Sequence, residues 1–218
     1  MIITDIKPQI KNTKRFSIFI DGEFAFGISG EDLLWHKLEI GQNLHRDDYD
    51  KLLNQLEFAA ARDAAVRNLS RSPKSIAQLR EKLAEKEFSP NSIEKVIDLL
   101  CERNYLNDTE FAISFISHKA KISNFGRNRI ERELRQKGVA QRDIDAAYAQ
   151  FGGEDEEAAI RRALAKKLRN KNPAEIAADP KELARLKGFL ARRGFDFDTI
   201  DKILAAFSCE SPTQEGWS

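Results

Sequence analysis

Residues 78–100 read QLREKLAEKEFSPNSIEKVIDLL, and the pattern returns at 129–151 as RIERELRQKGVAQRDIDAAYAQF and at 185–207 as RLKGFLARRGFDFDTIDKILAAF. The three windows align without a gap. Leu79, Ile130 and Leu186 share a column, as do Leu83, Leu134 and Leu190. After the turn come Ile93, Ile144 and Ile200, then Val96, Ala147 and Ile203, then Leu100, Phe151 and Phe207. The first half spaces its apolar residues at i, i+4 and the second at i, i+3, i+4, i+7, so each half is one face of a helix. The turn between them carries Gly138 and Gly194, the residue type that ends a helix in the left-handed region. Glu87 stands in that column of the first window, so its turn either takes up backbone strain or differs in shape. Agreement along whole windows marks a repeated structural unit rather than three unrelated amphipathic helix pairs.

Working outward, a further amphipathic stretch precedes each window: 59–70, 108–119 and 158–168. Each repeat therefore has three helices. Ser75 with Gln78, Asn107 with Glu110, and Asp179-Pro180 with Glu182 have the spacing of helix starts, and Ser89-Pro90 adds an N-cap followed by proline. The chain divides into an N-terminal segment with a connecting helix at 1–57, repeats at 58–106, 107–151 and 154–207, and a loose tail at 208–218 that holds Trp217. Gly152-Gly153 reads as a linker, and the third repeat carries an insert around 172–179.

The N-terminal segment reads as β structure. Ile2, Thr4, Ile6 and Pro8 suggest an edge strand, and RFSIFIDGEFAFGIS at 15–29 reads as a hairpin closed by Asp21-Gly22 in a type I′ turn. In that register Phe19 faces Phe24, and Phe26 and Ile28 share its face, opposite Phe16, Ile18 and Ile20. Both faces then need some cover. The fold class is mainly α: three tandem three-helix, helix-turn-helix-like repeats in an elongated array, preceded by a small β-hairpin segment.

The 218 residues carry a net charge of +1, with 33% charged and 41% hydrophobic residues. No global pull toward polyanions follows, and no apolar run is long enough to span a membrane. No signal peptide is expected, and the two cysteines, Cys101 and Cys209, suit a reducing cytoplasm. His36, His45 and His118 are far apart and have no metal-ligand spacing. There is no glycine-rich phosphate loop and no obvious nucleophile, so neither a catalytic role nor a cofactor is expected.

The basic clusters are the functional lead. Lys119, Lys121, Arg127, Arg129, Arg132, Arg135, Lys137 and Arg142 are opposed only by Glu131 and Glu133. Arg161, Arg162, Lys166, Lys167, Arg169 and Lys171 follow with no acid between them. At about 100° per residue, Ile130 and Leu134 toward a core send Arg132 and Arg135 outward. Ile160 and Leu164 inward send Arg162, Lys166 and Arg169 outward. The candidate partner- or DNA-binding set is Lys119, Lys121, Arg127, Arg129, Arg132, Arg135, Arg162, Lys166 and Arg169. Such faces meet phosphates or an acidic protein surface, or are simply solvated.

Tyr105-Leu-Asn-Asp108 followed by Glu110-Phe-Ala112, and Gly126-x-x-Arg-Ile-x-x-Glu-Leu-x-x-Lys-Gly-Val139, resemble the RecX family, bacterial regulators of the RecA recombinase. Lys74 and Gln78 stand where the family pattern has Arg and Glu. The resemblance implies a curved array of three repeats. It further implies docking in the groove of the RecA–DNA filament, restraint of ATP hydrolysis and strand exchange, and a place in DNA repair, recombination and the SOS response. The implied partners are the RecA filament and single- or double-stranded DNA, the chain acting as a monomer. Two other readings stay open: a direct nucleic-acid binder whose repeats enter a groove, and a helical scaffold. Because the apolar columns of the repeats face one another, a chain begun at Asp47 should keep its helices and unfold cooperatively, which thermal circular dichroism checks.

Overall fold

The computed structural model describes residues 1–10, 12–151, 156–169 and 179–209. The Gly152-Gly153 linker, most of the insert at 172–179, Lys171 and Trp217 lie outside the described residues. The chain forms two compact units, Met1–Ser72 with Arg80–Glu102, and Pro73–Leu79 with Arg103–Ser218.

In the first unit β1 (Ile3–Gln9), β2 (Asn12–Ile20) and β3 (Glu23–Ser29) form an antiparallel sheet in sequence order. The hairpin turn has Asp21 at φ 50° and Gly22 at φ 89°, both left-handed as a type I′ turn requires. Phe24 lies opposite Phe19, with the rings edge to face at 6.0 Å. Beyond that pair the register departs from the expectation. Ile18 pairs with Phe26 and Phe16 with Ile28, so Ala25 is an extra residue on β3. One inserted residue moves the rest of a strand to the other face. Phe26 and Ile28 therefore join Ile18 and Ile20 on a single buried face, and the opposite face needs little cover. Phe24 stays 60% exposed there, and Lys7 lies over the Phe19 ring at 5.1 Å.

The covered face packs on Leu38, Leu44 and Leu52. A short α1 (Gly30–Trp35) is capped by Ser29, whose hydroxyl accepts from Asp32 N at 3.0 Å. Then α2 (Arg46–Leu69) runs for 24 residues without a break across residue 57. Its first half, with Tyr49, Leu52, Leu53 and Leu56, faces the sheet, and Ala61, Ala64 and Ala65 in its second half are buried. Glu57, between the halves, caps α4 (Pro90–Glu102). Its carboxylate accepts from Ser89 N at 2.8 Å and from the hydroxyls of Ser89 and Ser92 at 2.6 Å each. Burial pushes the Glu57 carboxyl up, but these hydrogen bonds outweigh it and hold it below its usual range.

The remaining helices are α3 (Ile76–Ala84), α5 (Asp108–Lys121), α6 (Arg127–Gln136), α7 (Gln141–Phe151), α8 (Glu156–Leu168), α9 (Pro180–Arg192) and α10 (Phe197–Cys209), ten in all among the described residues. The columns of the repeat are the core. Leu79, Ile130 and Leu186 are buried, as are Leu83, Leu134 and Leu190, then Ile93, Ile144 and Ile200. In the second unit they form two clusters, one from α5, α6 and α7 and one from α8, α9 and α10.

Helix starts form as their residues suggest. Ser75 and Gln78 bond reciprocally, Gln78 N to Ser75 Oγ at 3.2 Å and Ser75 N to Gln78 Oε1 at 3.3 Å. Asn107 accepts from Thr109 N and Glu110 N, but the Glu110 carboxylate turns to Asn104 instead of completing the box.

The stops after α3, α6 and α9 share one backbone conformation, with Glu87 at φ 63°, Gly138 at 78° and Gly194 at 84°. Glu87 shows that the left-handed angle by itself does not demand glycine. What demands it at the other two stops is a close approach within the second unit. A β-carbon at residue 138 would lie 2.3 Å from Ala77 Cβ, and one at 194 would lie 2.4 Å from the backbone nitrogen of Arg129. Ser75 Oγ donates to Lys137 O at 2.5 Å, Gly126 N to Arg193 O at 2.9 Å and Asn128 N to Gly194 O at 3.1 Å. Each stop thus receives the first turn of an earlier helix. Gly138→Val combines left-handed strain of about 1–2 kcal/mol with crowding of about 1–3 kcal/mol. It should destabilise by roughly 2–5 kcal/mol in urea unfolding, and a loss of under about 1 kcal/mol would mean that neither strain nor contact operates there.

Candidate basic interface

All nine candidate cations lie in the second unit. Ile130, Leu134, Ile160 and Leu164 are buried, while Arg132, Arg135, Arg162, Lys166 and Arg169 are exposed. The two acids of the first cluster organise it. Glu133 accepts from Lys119 at 2.7 Å and Arg129 at 3.0 Å, and Glu131 accepts from Arg127 at 2.7 Å and Arg135 at 2.8 Å. Glu131 is only 13% exposed. Arg135 also donates to Gln141 Oε1 at 2.8 Å.

Aromatic rings take up the same cations. The Arg129 guanidinium lies 3.7 Å from the Phe125 ring centroid, Arg127 4.3 Å from Tyr148, and Lys119 5.1 Å from Phe115. Lys121 lies over Phe151 at 5.5 Å. Stacked and paired cations of this kind hold helices together. Lys119, Arg127, Arg129 and Arg135 are therefore built into the α5–α6–α7 packing and are not a free face. Burial pushes the Glu133 carboxyl up, but hydrogen bonds from Lys119 and Arg129 outweigh it and hold the group below its usual range.

The second cluster differs. Arg162 donates to Asn124 Oδ1 at 3.4 Å. Arg132, Arg161, Lys166 and Arg169 are exposed and make no hydrogen bond or ion pair among the described residues. The outward arc of α8 holds Arg161, Arg162, Ala165 and Lys166, Arg169 follows its last residue, and no acid stands among them in the sequence. Arg161, Lys166 and Arg169 are cationic donors exposed to solvent, of the kind that meets phosphate or carboxylate groups.

Sequence reasoning passed over Arg193. Its guanidinium donates to Ser123 O at 2.7 Å and Asn124 O at 3.2 Å, and stacks over Phe189 at 4.7 Å. Burial, and then the neighbouring charge of Arg129, hold it below its usual value. Its partners lie about seventy residues earlier, so no local spacing could reveal them. Among the described residues no group of three His, Cys, Asp or Glu could hold a metal. No described helix is long and apolar enough to cross a membrane.

Comparison with known proteins agrees with this architecture. Residues 1–45 match the regulatory protein RecX N-terminal domain, and 61–100, 107–147 and 154–204 match the first, second and third RecX three-helix domains. The Regulatory protein RecX of Bacillus subtilis (strain 168) is 34% identical over 96% of this chain and 78% of its own length. The chain belongs to the RecX family. A further relative of that name, from Clostridium botulinum (strain Eklund 17B / Type B), is 30% identical over 93% of this chain and 94% of its own. A crystal structure of regulatory protein RecX shares the fold at a TM-score of 0.65 and 23% identity, covering 93% of this chain and 98% of that one. A second, from Lactobacillus salivarius, has a TM-score of 0.61 at 22% identity and covers 71% of this chain and 98% of that one.

The Glu133 clamp sets a pH dependence. Its folded-state pKa is depressed, so its contribution is complete above the unfolded value near 4.5 and is lost as pH falls through the folded one. Glu133→Gln should cost roughly 1–2 kcal/mol at neutral pH, and the gap from the parent should shrink below the unfolded value. Urea midpoints at pH 7 and pH 3 check this, and an equal gap at both would mean the clamp is not ionic.

Proposed function

We propose that this chain regulates a recombinase of the RecA class by binding its nucleoprotein filament and restraining its ATPase and strand exchange, with a place in DNA repair and recombination. Membership of a family of proteins named as regulators is one support. The observation that carries the contact is the sorting of the basic residues. Four of the nine candidates are held in two carboxylate clamps, and Arg132, Lys166 and Arg169 are free of partners among the described residues. Together with Arg162 they are the residues assigned to the filament. Their target is DNA phosphate or acidic protein surface, both of which salt screens.

Two sets of substitutions test this. Arg132→Ala, Arg162→Ala, Lys166→Ala and Arg169→Ala together should leave the helical signal and melting midpoint near those of the parent. They should remove most of the suppression of RecA-driven ATP hydrolysis on single-stranded DNA, and the residual binding should depend less on salt. Lys119→Ala with Arg127→Ala should lower the midpoint, since those groups pack helices. If the fourfold variant suppresses as well as the parent, these residues are only solvated helix surface. A parent that binds DNA of preferred sequence without RecA and leaves the ATPase untouched would favour the direct nucleic-acid reading.

A further inference from the structure

Arg193, at the C-cap of α9, is a half-buried cation with no acid to match it. Its surroundings are two rings and three other cations. Arg129, Lys119 and Arg193 lie over Phe125, and Arg193 and Lys167 lie over Phe189. Glu133 accepts from Lys119 and Arg129. Arg193 and the exposed Lys167 make no ion pair among the described residues. Arg193 is nevertheless held in one orientation, by Phe189 and by the bonds from its Nη1 to Ser123 O and Asn124 O. Those carbonyls are neutral acceptors and leave its formal charge unmatched. The Nε and Nη2 edge of the guanidinium makes no hydrogen bond among the described residues. That edge is the fork with which arginine holds two oxygens at once.

Asn124 ties the cluster together. It is buried, with a left-handed backbone at φ 49°. Its carbonyl accepts from Arg193, and its Oδ1 accepts from Arg162 at 3.4 Å. Its amide nitrogen makes no hydrogen bond among the described residues. Only the Tyr148 hydroxyl among them is both fully buried and without a partner, so the Asn124 nitrogen keeps access to solvent.

We propose that Arg193, the Asn124 amide and Lys167 form a site in the second unit for one phosphate group. Arg193 supplies the fork, Asn124 a neutral donor and Lys167 a point charge. A phosphate suits these donors better than a carboxylate does. Its oxygens are spread tetrahedrally and meet donors arriving from several directions, whereas the two oxygens of a carboxylate lie in one plane. The charge of Arg129, which shares the Phe125 ring, repels that of Arg193, and a bound anion relieves the repulsion. The phosphate is that of a nucleic-acid backbone or of a free nucleotide, since the same donors serve both. None of the three residues is among the nine candidate cations, and the test needs no filament, so this site and the reading as a filament regulator stand or fall separately.

The side-chain N–H resonances of Arg193 and Asn124 in the full chain report on it. They are followed at constant ionic strength while sodium phosphate, adenosine 5′-monophosphate or a short oligothymidylate replaces sodium acetate. Saturable shifts are expected with phosphate and not with acetate. Lys167→Ala removes one exposed charge and should weaken binding about threefold. Arg193→Lys keeps the charge, loses the fork and should weaken it about tenfold. Asn124→Asp keeps a residue that tolerates the left-handed backbone, sets a carboxylate against the ligand and should abolish binding. If Arg193→Lys lowers the helical signal, the other two variants are read by the same criterion. An oligonucleotide that binds more tightly than the mononucleotide, and loses this in the same variants, assigns the site to a nucleic-acid backbone. Equal or weaker binding of the oligonucleotide assigns it to free phosphate compounds. Equal shifts with phosphate and acetate, or full affinity in Lys167→Ala and Asn124→Asp, overturn the inference, and the fork then holds only water.

Discussion

The approach of one backbone to another at residues 138 and 194 is the constraint on which the second unit depends. A helix stop in the left-handed conformation turns its last carbonyls outward, and a preceding helix start supplies the donors that satisfy them. With only a hydrogen on the α-carbon, the two backbones come close enough for direct bonds such as Gly126 N to Arg193 O. Any side chain would hold them apart and leave the carbonyls unpaired. The hydrophobic columns supply the burial that drives folding. The stop contacts decide which turn meets which helix start, because hydrogen bonds have direction and burial does not.

Charge then works differently in two places that look alike on paper. Around α6 the cations outnumber the acids, but each acid is shared by two cations and flanked by rings. That geometry converts a basic stretch into packing, through Lys119, Arg129 and Glu133 on one side and Arg127, Arg135 and Glu131 on the other. Along α8 and just after it, Arg161, Lys166 and Arg169 are exposed and make no ion pair among the described residues. A partner meeting Arg161, Lys166 and Arg169 breaks no ion pair among the described residues. One meeting the α6 clamps would first have to break ion pairs that stabilise the unit. This difference in cost sets the exposed cations of α8, and Arg132, apart from those held around α6.

The repeat, its three helices and their starts were legible because they rest on short-range spacing: one turn of helix between Leu79 and Leu83, three residues between Ser75 and Gln78. The Asp21-Gly22 turn was legible for the same reason. The hairpin beyond it was not, since one extra residue, Ala25, reverses the facing of Phe26 and Ile28 and leaves no mark in the alternation of apolar residues. The role of Glu57 had no local signal. Its three bonds to Ser89 and Ser92 span more than thirty residues. Of the candidate site, the outward direction of Arg132, Arg162, Lys166 and Arg169 could be read from helix geometry, but not which cations would be held.

By itself, then, the sequence determined the mainly helical fold, the threefold repeat, the positions of the left-handed stops and the family to which the chain belongs. The fold, the repeat and the stops follow from periodicity and local backbone preference, which act within a turn or two of chain, and the family from the resemblance of the motifs at 105–112 and 126–139. Only the tertiary structure decided that glycine at 138 and 194 answers to Ala77 and Arg129 rather than to the backbone angle. It alone separated held cations from free ones. Those outcomes depend on distances between residues far apart in the chain, and the close approach at Gly138 or an ion pair at 2.7 Å exists only once the helices have packed.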